Sequence, residues 1–229
     1  MEWGDLMKHN KEAHRLGKTY ETDGNTKDRF FLGVYDYTVI LTYISLCISL
    51  IGIFKAARGS VVTAVVCLII SGICDTCDGK IARTKKNRTR QEAHFGIQID
   101  SLCDLISFGL LPCFIGFGAG LDSGMHMFLY CIYVLAAIIR LAYFNVSEQD
   151  RQDVEEGMRQ YYVGLPVTSS SIIIPFLFLI KGIIQPVFLV VLMLSYPAIA
   201  IMFVSRIRVR KPGARYEAKK MSGDSEVKL

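Results

Sequence analysis

The sequence predicts an all-α integral membrane protein with six transmembrane helices and both termini in the cytoplasm. Hydrophobic residues make up 52% of its 229 residues, and the mean hydropathy is +0.35. They gather in blocks close to the ~20-residue length at which a helix crosses the hydrocarbon core of a bilayer. Charged residues lie mainly between the blocks. This pattern excludes an ordinary soluble domain and indicates helices that cross a membrane.

Six apolar blocks define the predicted spans, and polar segments flank them. The spans cover residues 35–54, 61–82, 96–118, 125–144, 164–180 and 184–204. The N-terminal segment, residues 1–34, is expected to be cytoplasmic or to lie at the membrane interface. The tail, residues 205–229, is basic and has the composition of a disordered segment. The transmembrane domain is therefore expected to occupy residues 35–204.

Basic residues are concentrated in short segments and predict the orientation. Six of the eleven residues from 80 to 90 are Lys or Arg, and the 205–229 tail is also basic. The positive-inside rule places both segments in the cytoplasm, which agrees with an even number of spans. Lys55 and Arg58 fall on the opposite side and are exceptions. The net charge is +5. The basic residues are expected to interact with the membrane surface rather than with nucleic acid, because they flank apolar helices.

Two pairs of aspartates lie in or beside otherwise apolar segments. Asp75 and Asp78 are three residues apart, so on a helix they share one face. Asp100 and Asp104, four residues apart, do the same. Carboxylates in apolar surroundings are costly unless they bind something positive. Divalent cations such as Mg²⁺, Mn²⁺ or Ca²⁺ prefer such hard oxygen ligands, although an acidic pair at a helix end can also be solvated among lipid headgroups.

The two pairs belong to a longer pattern. Residues 75–83 read D-T-C-D-G-K-I-A-R, and residues 96–104 read G-I-Q-I-D-S-L-C-D, with twelve residues between them. This resembles the motif of the CDP-alcohol phosphotransferases, D-x-x-D-G-x-x-A-R, a spacer, and G-x-x-x-D-x-x-x-D. The spacer is longer here than is usual for the family. The extra length falls in the basic loop, where extension costs little.

The resemblance implies a membrane enzyme that uses two divalent cations, Mg²⁺ or Mn²⁺. It implies that Asp75, Asp78 and Asp100 are metal ligands. It implies that Asp104 is the general base for the acceptor hydroxyl and can also touch a metal. The residues it assigns to the CDP-linked lipid are Gly79, Ala82, Arg83 and Gly96. Glycine and alanine permit close approach of a nucleotide, and arginine offers a planar fork for phosphate oxygens.

Three further segments bear on the acceptor alcohol. They are S-F-G-L-L-P at 107–112, R-L-A-Y-F-N at 140–145 and G-L-P at 164–166. These resemble segments of bacterial and archaeal phosphatidylserine synthases, except that Tyr143 replaces an arginine. L-serine is a zwitterion, so its site needs a cation and neutral hydrogen-bonding groups. The candidates are Arg140 for the carboxylate, with Asn145, Ser107, Thr168 and Ser169 as neutral partners.

Simpler interpretations of the acceptor residues stay open. Arg140 can be an arginine that extends to the membrane interface. The hydroxyl residues from Thr168 onward can serve as packing contacts between helices. An acceptor that already carries phosphate would require more than one cation in the pocket, and no such cluster stands out within the spans. Serine is therefore favoured over inositol phosphate or glycerol phosphate.

The resulting hypothesis is a CDP-diacylglycerol-dependent phosphatidyltransferase that makes phosphatidylserine and CMP from CDP-diacylglycerol and L-serine. It is expected to be a multi-pass protein of the cell membrane, with its active site facing the cytoplasm. The resemblance also suggests a homodimer, and no nucleic-acid partner is expected. A divalent-cation transporter is the competing class of protein. Transport requires polar positions near the midplane, whereas the acids here gather at one face.

Overall fold

The computed structural model describes residues 37–82, 89–154, 161–205 and 208–210. Within this part of the chain, six helices and one pair of short strands follow one another. The helices are α1 (Tyr37–Ala57), α2 (Val61–Ala82), α3 (Arg90–Asp104, Leu105–Leu110 and Leu111–Gly118), α4 (Gly124–Val154), α5 (Val167–Ser169, Ser170–Leu179 and Ile180–Gly182) and α6 (Gln185–Val187 and Phe188–Val204). Strands β1 (Tyr161–Val163) and β2 (Arg208–Arg210) pair with each other.

Five of the helices contain segments long and apolar enough to cross a membrane. These segments are Val39–Ala57, Val61–Gly79, Glu92–Gly118, Gly124–Glu148 and Gln185–Val204. The chain is therefore a multi-pass membrane protein. Helix α5 is also apolar but is shorter than the other five. At 1.5 Å per residue its 16 residues, Val167–Gly182, reach about 24 Å, less than the ~30 Å hydrocarbon core. The fifth predicted span, residues 164–180, is thus a short helix.

Helix α3 begins before residue 96, the start that was predicted from its apolar block. It starts at Arg90 behind Thr89, whose hydroxyl accepts a hydrogen bond from the backbone N–H of Glu92. The Glu92 side chain in turn accepts from the backbone N–H of Thr89, which completes a capping box. Hydropathy missed this start because the first turns are polar. Helix α4 likewise continues to Val154, ten residues past its predicted end, because its last turns are polar.

Helix α3 changes its hydrogen-bonding pattern immediately after Asp104. Residues Leu105–Leu110 form a π-helical segment, a feature that is frequent at functional sites. Pro112 follows and has no N–H, so the carbonyl oxygen of Phe108 lacks its usual donor four residues later. Two hydroxyls replace that donor, Tyr133 at 2.8 Å and Ser170 at 3.2 Å. The irregular part of α3 is therefore held by α4 and α5.

The strand pair is a departure from an all-α architecture. Strands β1 and β2 are antiparallel, with Tyr161 opposite Arg210 and Val163 opposite Arg208. Strand β2 lies in the segment that the sequence predicted to be disordered. Three-residue strands are too short to show an alternating pattern, and their pairing depends on how the chain returns after α6. Gly164 follows β1 at a positive φ of 79°, which glycine adopts readily.

Aromatic side chains fill the core between α3, α4 and α6. Tyr196 packs edge-on against Tyr130 and Tyr133, with ring centroids 5.0 and 5.5 Å apart. The Tyr196 hydroxyl donates to the carbonyl oxygen of Pro112 at 2.7 Å. These contacts hold the C-terminal half of α3. The N-terminal half, which carries Asp100 and Asp104, packs against α1, α2 and α4.

Candidate active site

Three carboxylates from two helices meet at one end of the bundle. Asp75 and Asp78 on α2 and Asp100 on α3 each offer an oxygen, and these oxygens all lie within 4.8 Å of one another. Asp78 is buried, with 7% of its surface exposed, and the other two are half-buried. The two predicted acidic pairs are thus brought together. The C-terminal end of α2 lies beside the part of α3 that carries Asp100.

Asp104 lies next to this trio but is not part of it. Its carboxyl group lies within hydrogen-bonding reach of Asp75. It is half-buried and directly precedes the π-helical segment. One helical turn separates it from Asp100, so along α3 it lies further into the bundle than Asp100 does. The arrangement separates three clustered oxygen ligands from one neighbouring carboxyl group.

The residues present fit a divalent cation. Among the described residues, the strongest charge–charge interactions of these carboxyl groups are with one another. Like charges gathered in an apolar bundle repel each other, and a bound cation would offset that repulsion. The donors are hard carboxylate oxygens, which suit Mg²⁺ or Mn²⁺.

Helix α1 supplies a polar contact that the sequence analysis did not identify. The buried Thr42 hydroxyl donates to Oδ2 of Asp78 at 3.1 Å. Such a bond orients a carboxylate oxygen and leaves its other oxygen available. A threonine in an apolar helix is ordinary by itself. The available signal was the spacing of Thr42, Ser45 and Ser49, which places three hydroxyls on one face of α1.

A group of buried serines extends this polar face into the bundle. Ser49 on α1 is 2.8 Å from the Ser71 hydroxyl on α2 and donates to the Ser107 hydroxyl on α3 at 2.7 Å. Ser45 donates to the carbonyl oxygen of Ser71 at 3.3 Å. Ser107 was predicted to contact the acceptor alcohol; the structure places it 1% exposed within this group. The serines tie together the three helices that carry the site.

The other predicted acceptor residues lie on α4 and at the start of α5. Asn145 accepts from the Ser101 hydroxyl at 2.7 Å and donates to Oε1 of Gln98 at 3.3 Å. It therefore joins α4 to the turn of α3 that carries Asp100. Arg140 is 7% exposed, and its Nε donates to the carbonyl oxygen of Leu165 at 3.2 Å.

Thr168 and Ser169 form the first turn of α5 and are half-buried. The carbonyl oxygen of Thr168 accepts from the Ser171 hydroxyl at 2.7 Å. Both residues belong to α5, so this contact lies within one helix and is not the packing between helices that the sequence left open. It does not involve the Thr168 hydroxyl itself.

Three of the four residues predicted to contact the CDP-linked lipid, Gly79, Ala82 and Gly96, lie in the described helices. Gly79 is exposed, and a Cβ built there would meet no atom of the described residues within 4 Å, so among them open space lies beside Asp78. Gly96 is buried in α3. Ala82 is the last residue of α2. The Ala82 side chain and the whole of Arg83 lie outside the described residues.

Comparison with known proteins identifies the class of protein that this bundle and site define. A family model described as CDP-alcohol phosphatidyltransferase matches residues 37–206. This range includes α1 to α6 and all four aspartates. The chain therefore belongs to the CDP-alcohol phosphatidyltransferase family.

Individual relatives show which members of the family this chain is similar to. The chain is 36% identical over 104 residues to the CDP-diacylglycerol–serine O-phosphatidyltransferase of Saccharomyces cerevisiae, covering 44% of this chain and 36% of that protein. It is 29% identical over 143 residues to the Helicobacter pylori protein of the same name, covering 62% and 56%. It is 29% identical over 126 residues to the archaetidylserine synthase of Methanothermobacter thermautotrophicus, covering 54% and 49%. The matches thus span about half or less of these relatives.

Proposed function

We propose that this protein transfers a phosphatidyl group from CDP-diacylglycerol to L-serine. The observation that carries the proposal is the trio of Asp75, Asp78 and Asp100, with Asp104 beside it, at one end of two apolar helices in a chain of this family. A site at the membrane surface suits a reaction between a lipid substrate and a water-soluble one. The serine hydroxyl oxygen forms the new bond to phosphorus, and the bond from phosphorus to the CMP oxygen breaks. The products are phosphatidylserine and CMP.

Asp75, Asp78 and Asp100 would hold two divalent cations, Mg²⁺ or Mn²⁺, with Asp104 close enough to contribute. The cations would neutralise the diphosphate of the CDP-linked lipid and stabilise the departing CMP. Thr42 holds one oxygen of Asp78, so that carboxylate is oriented before any ligand binds. The support for this assignment is the oxygen spacing of the trio, all within 4.8 Å.

Asp104 is the proposed general base. Its place beside the trio lets it accept the proton of the serine hydroxyl as the new bond to phosphorus forms. The like charges around it favour uptake of that proton. The π-helical segment that follows fixes its direction, because α4 and α5 hold that segment through the carbonyl oxygen of Phe108.

The nucleotide-lipid is proposed to lie along the end of α2, against Gly79, Ala82 and Arg83, and near Gly96. The open space at Gly79 supports this placement. A side chain there would stand between the substrate and Asp78. Arg83 would bind phosphate oxygens through its planar fork.

For the acceptor, Arg140 is proposed to bind the serine carboxylate, with Thr168 and Ser169 nearby as neutral partners. Asn145 would act by holding α4 against Ser101 and Gln98. Ser107 has its hydroxyl bonded to Ser49, so we assign it to the wall behind the site rather than to contact with serine. The names of the three relatives, which specify serine or archaetidylserine, favour this acceptor.

The proposed location is the cell membrane, with the aspartates and both termini on the cytoplasmic side. The basic segment 80–90 beside the acids supports this orientation. A homodimer formed through spanning helices is proposed from the family resemblance. Native mass spectrometry of the detergent-purified protein would detect that dimer.

The function is tested by supplying purified protein in lipid nanodiscs with CDP-diacylglycerol, Mn²⁺ and one labelled alcohol at a time. The panel contains L-serine, inositol phosphate and glycerol phosphate. We expect a lipid product and CMP with serine alone, loss of both on addition of EDTA, and recovery with excess Mg²⁺ or Mn²⁺. A product with another alcohol would reassign the acceptor. Metal uptake by proteoliposomes without any lipid product would identify a transporter instead.

A further inference from the structure

A cavity of about 980 Å³ opens at the end of the bundle opposite the aspartates. It lies between the start of α2, the end of α3, and helices α5 and α6. Its volume is at the upper end of the roughly 300–1,000 Å³ that is typical of small-molecule sites. Its walls are almost wholly apolar, with Val62, Val65, Val66, Phe176, Phe178 and Phe188 among them.

The cavity follows from the shortness of α5. That helix contains Pro175 and finishes in a 3-10 turn, Ile180–Gly182, before the chain enters α6. Beside it, Gly59 and Gly118 line the cavity without side chains to fill it. A span of full length in the place of α5 would cover α2 here. The bilayer must instead supply the apolar atoms that occupy this space.

Three basic residues lie at this end of the bundle, and one of them lines the cavity. Lys181 lines it, and the Lys181 ammonium lies 5.1 Å from the ring centroid of Phe188, another lining residue. Arg58 precedes the lining residue Gly59, and Lys55 lies one helical turn earlier; both are exposed. The described residues at this end include these three cations and one acid, the exposed Asp122. Their net charge is therefore +2.

This charge is unexpected for its position. Basic residues gather on the cytoplasmic side of membrane proteins, and in the proposed orientation this end faces the other way. An apolar cavity with a cationic mouth is complementary to a molecule with a hydrocarbon chain and a negative headgroup. Lipid phosphates attract Lys and Arg at this depth of the bilayer.

We propose that the cavity binds one anionic phospholipid from the leaflet opposite the aspartates. An acyl chain would occupy the valine- and phenylalanine-lined space. The headgroup phosphate would contact Lys181 and Arg58. This site is separate from the aspartate cluster, so the inference does not rest on the proposed transferase activity.

The headgroup contact is tested by native mass spectrometry of the full chain in detergent, titrated with phosphatidylglycerol or phosphatidylcholine. We expect phosphatidylglycerol to bind at least about five-fold more tightly. Lys181→Gln and Arg58→Gln should each weaken phosphatidylglycerol about five-fold and leave phosphatidylcholine unchanged, because each cation contributes separately. Lys219→Gln, which removes one positive charge from the C-terminal segment, is the matched control. Equal affinity of the two lipids for the unaltered protein, or unchanged phosphatidylglycerol binding in the two variants, would overturn the proposal.

The acyl-chain contact is tested separately with Val66→Trp. Val66 lines the cavity but is 47% exposed, so the larger side chain can enter the space without displacing the core. We expect at least a ten-fold loss of phosphatidylglycerol binding. Ile51→Trp is the control, because Ile51 is similarly exposed, at 53%, on the lipid-facing side of α1 and does not line the cavity. Retention of the lipid by Val66→Trp would show that the chain lies elsewhere and refute the site.

Discussion

Asp104 and its neighbours divide the proposed chemistry among single residues. The trio of Asp75, Asp78 and Asp100 has its oxygens within 4.8 Å, which suits metal ligation. Asp104 stands beside Asp75 and is the proposed acceptor of the proton. Thr42 lies behind Asp78 and orients it. These roles predict different results when each side chain is changed.

We expect Asp104→Asn to lower the turnover number about 10²–10⁴-fold, because the amide keeps the shape of the side chain but cannot accept the proton. Affinities for Mn²⁺ and for CDP-diacylglycerol should change much less. Single-turnover kinetics and Mn²⁺ titration followed by electron paramagnetic resonance measure the two effects. Asp122→Asn, an exposed acid at the opposite end, is the control. Near-normal turnover in Asp104→Asn would remove the base assignment.

Thr42→Val keeps the volume of the side chain but removes the hydroxyl that donates to Asp78. We expect Mn²⁺ affinity to fall about 10–100-fold, as is typical when the partner of a ligand is lost. Thr42→Ser should restore most of it. Thr63→Val, an exposed threonine at the far end of α2, serves as the control. If valine and serine variants bind Mn²⁺ equally well, Thr42 has only a packing role.

At the scale of secondary structure, two irregularities determine how the helices meet. The π-helical segment and Pro112 free the carbonyl oxygen of Phe108, which then binds α4 and α5. A glycine also lets two helix backbones come close together. A Cβ on Gly118 of α3 would overlap the carbonyl oxygen of Ala56 at the end of α1. Both features place the helices that carry the aspartates.

The Phe108 carbonyl predicts a specific non-additivity. Tyr133→Phe removes one of its two donors and should lower the free energy of unfolding by about 1 kcal/mol. Combined with Ser170→Ala, the buried oxygen loses both hydroxyl donors, and the loss of stability should exceed the sum of the single changes by about 1 kcal/mol or more. Unfolding in mixed detergent micelles measures this. Tyr143→Phe, at an exposed position, should have no effect. Simple additivity would mean that the carbonyl is satisfied in another way.

Gly118→Ala should destabilise the bundle by about 1–3 kcal/mol, because its new Cβ meets rigid backbone of α1. Gly124→Ala is the matched control: a Cβ there meets no atom of the described chain within 4 Å, and the residue begins α4. The thermal unfolding midpoint of each variant in detergent provides the comparison. Equal midpoints for the two variants would contradict the close approach of α1 and α3.

For the whole molecule, both ends of the described chain lie toward the aspartates. Thr42, in the second turn of α1, contacts Asp78. After α6, strand β2 pairs with β1, which leads into Gly164 and Leu165, and the carbonyl oxygen of Leu165 binds Arg140. The turns after α1 and α3 lie at the other end, beside the cavity. The bundle therefore has one acidic end and one basic-rimmed apolar end.

This arrangement predicts that both termini face the cytoplasm. A fluorescent protein fused to either terminus should fluoresce, and alkaline phosphatase fused there should be inactive. Phosphatase inserted in the turn at Asp122 should be active. Opposite signals from the two termini would show an odd number of spans, with α5 failing to cross the membrane.

Much of this protein follows from its sequence alone. Apolar blocks and the three- and four-residue spacing of the aspartates are local properties, so the membrane helices, the acidic pairs and the family motif could be predicted. The same approach placed helix ends badly at residues 96 and 144, because hydropathy marks the apolar part of a helix and not its polar turns. It also gave no sign of the β1–β2 pair.

Only the tertiary structure decided which helices face one another. The contact of Thr42 with Asp78, the burial of Ser107 against Ser49 and the donors to the Phe108 carbonyl all join residues distant in the chain. The cavity at the far end likewise exists because a short α5 packs beside α2. Such features depend on relative rotation and length of packed helices, which no local pattern encodes.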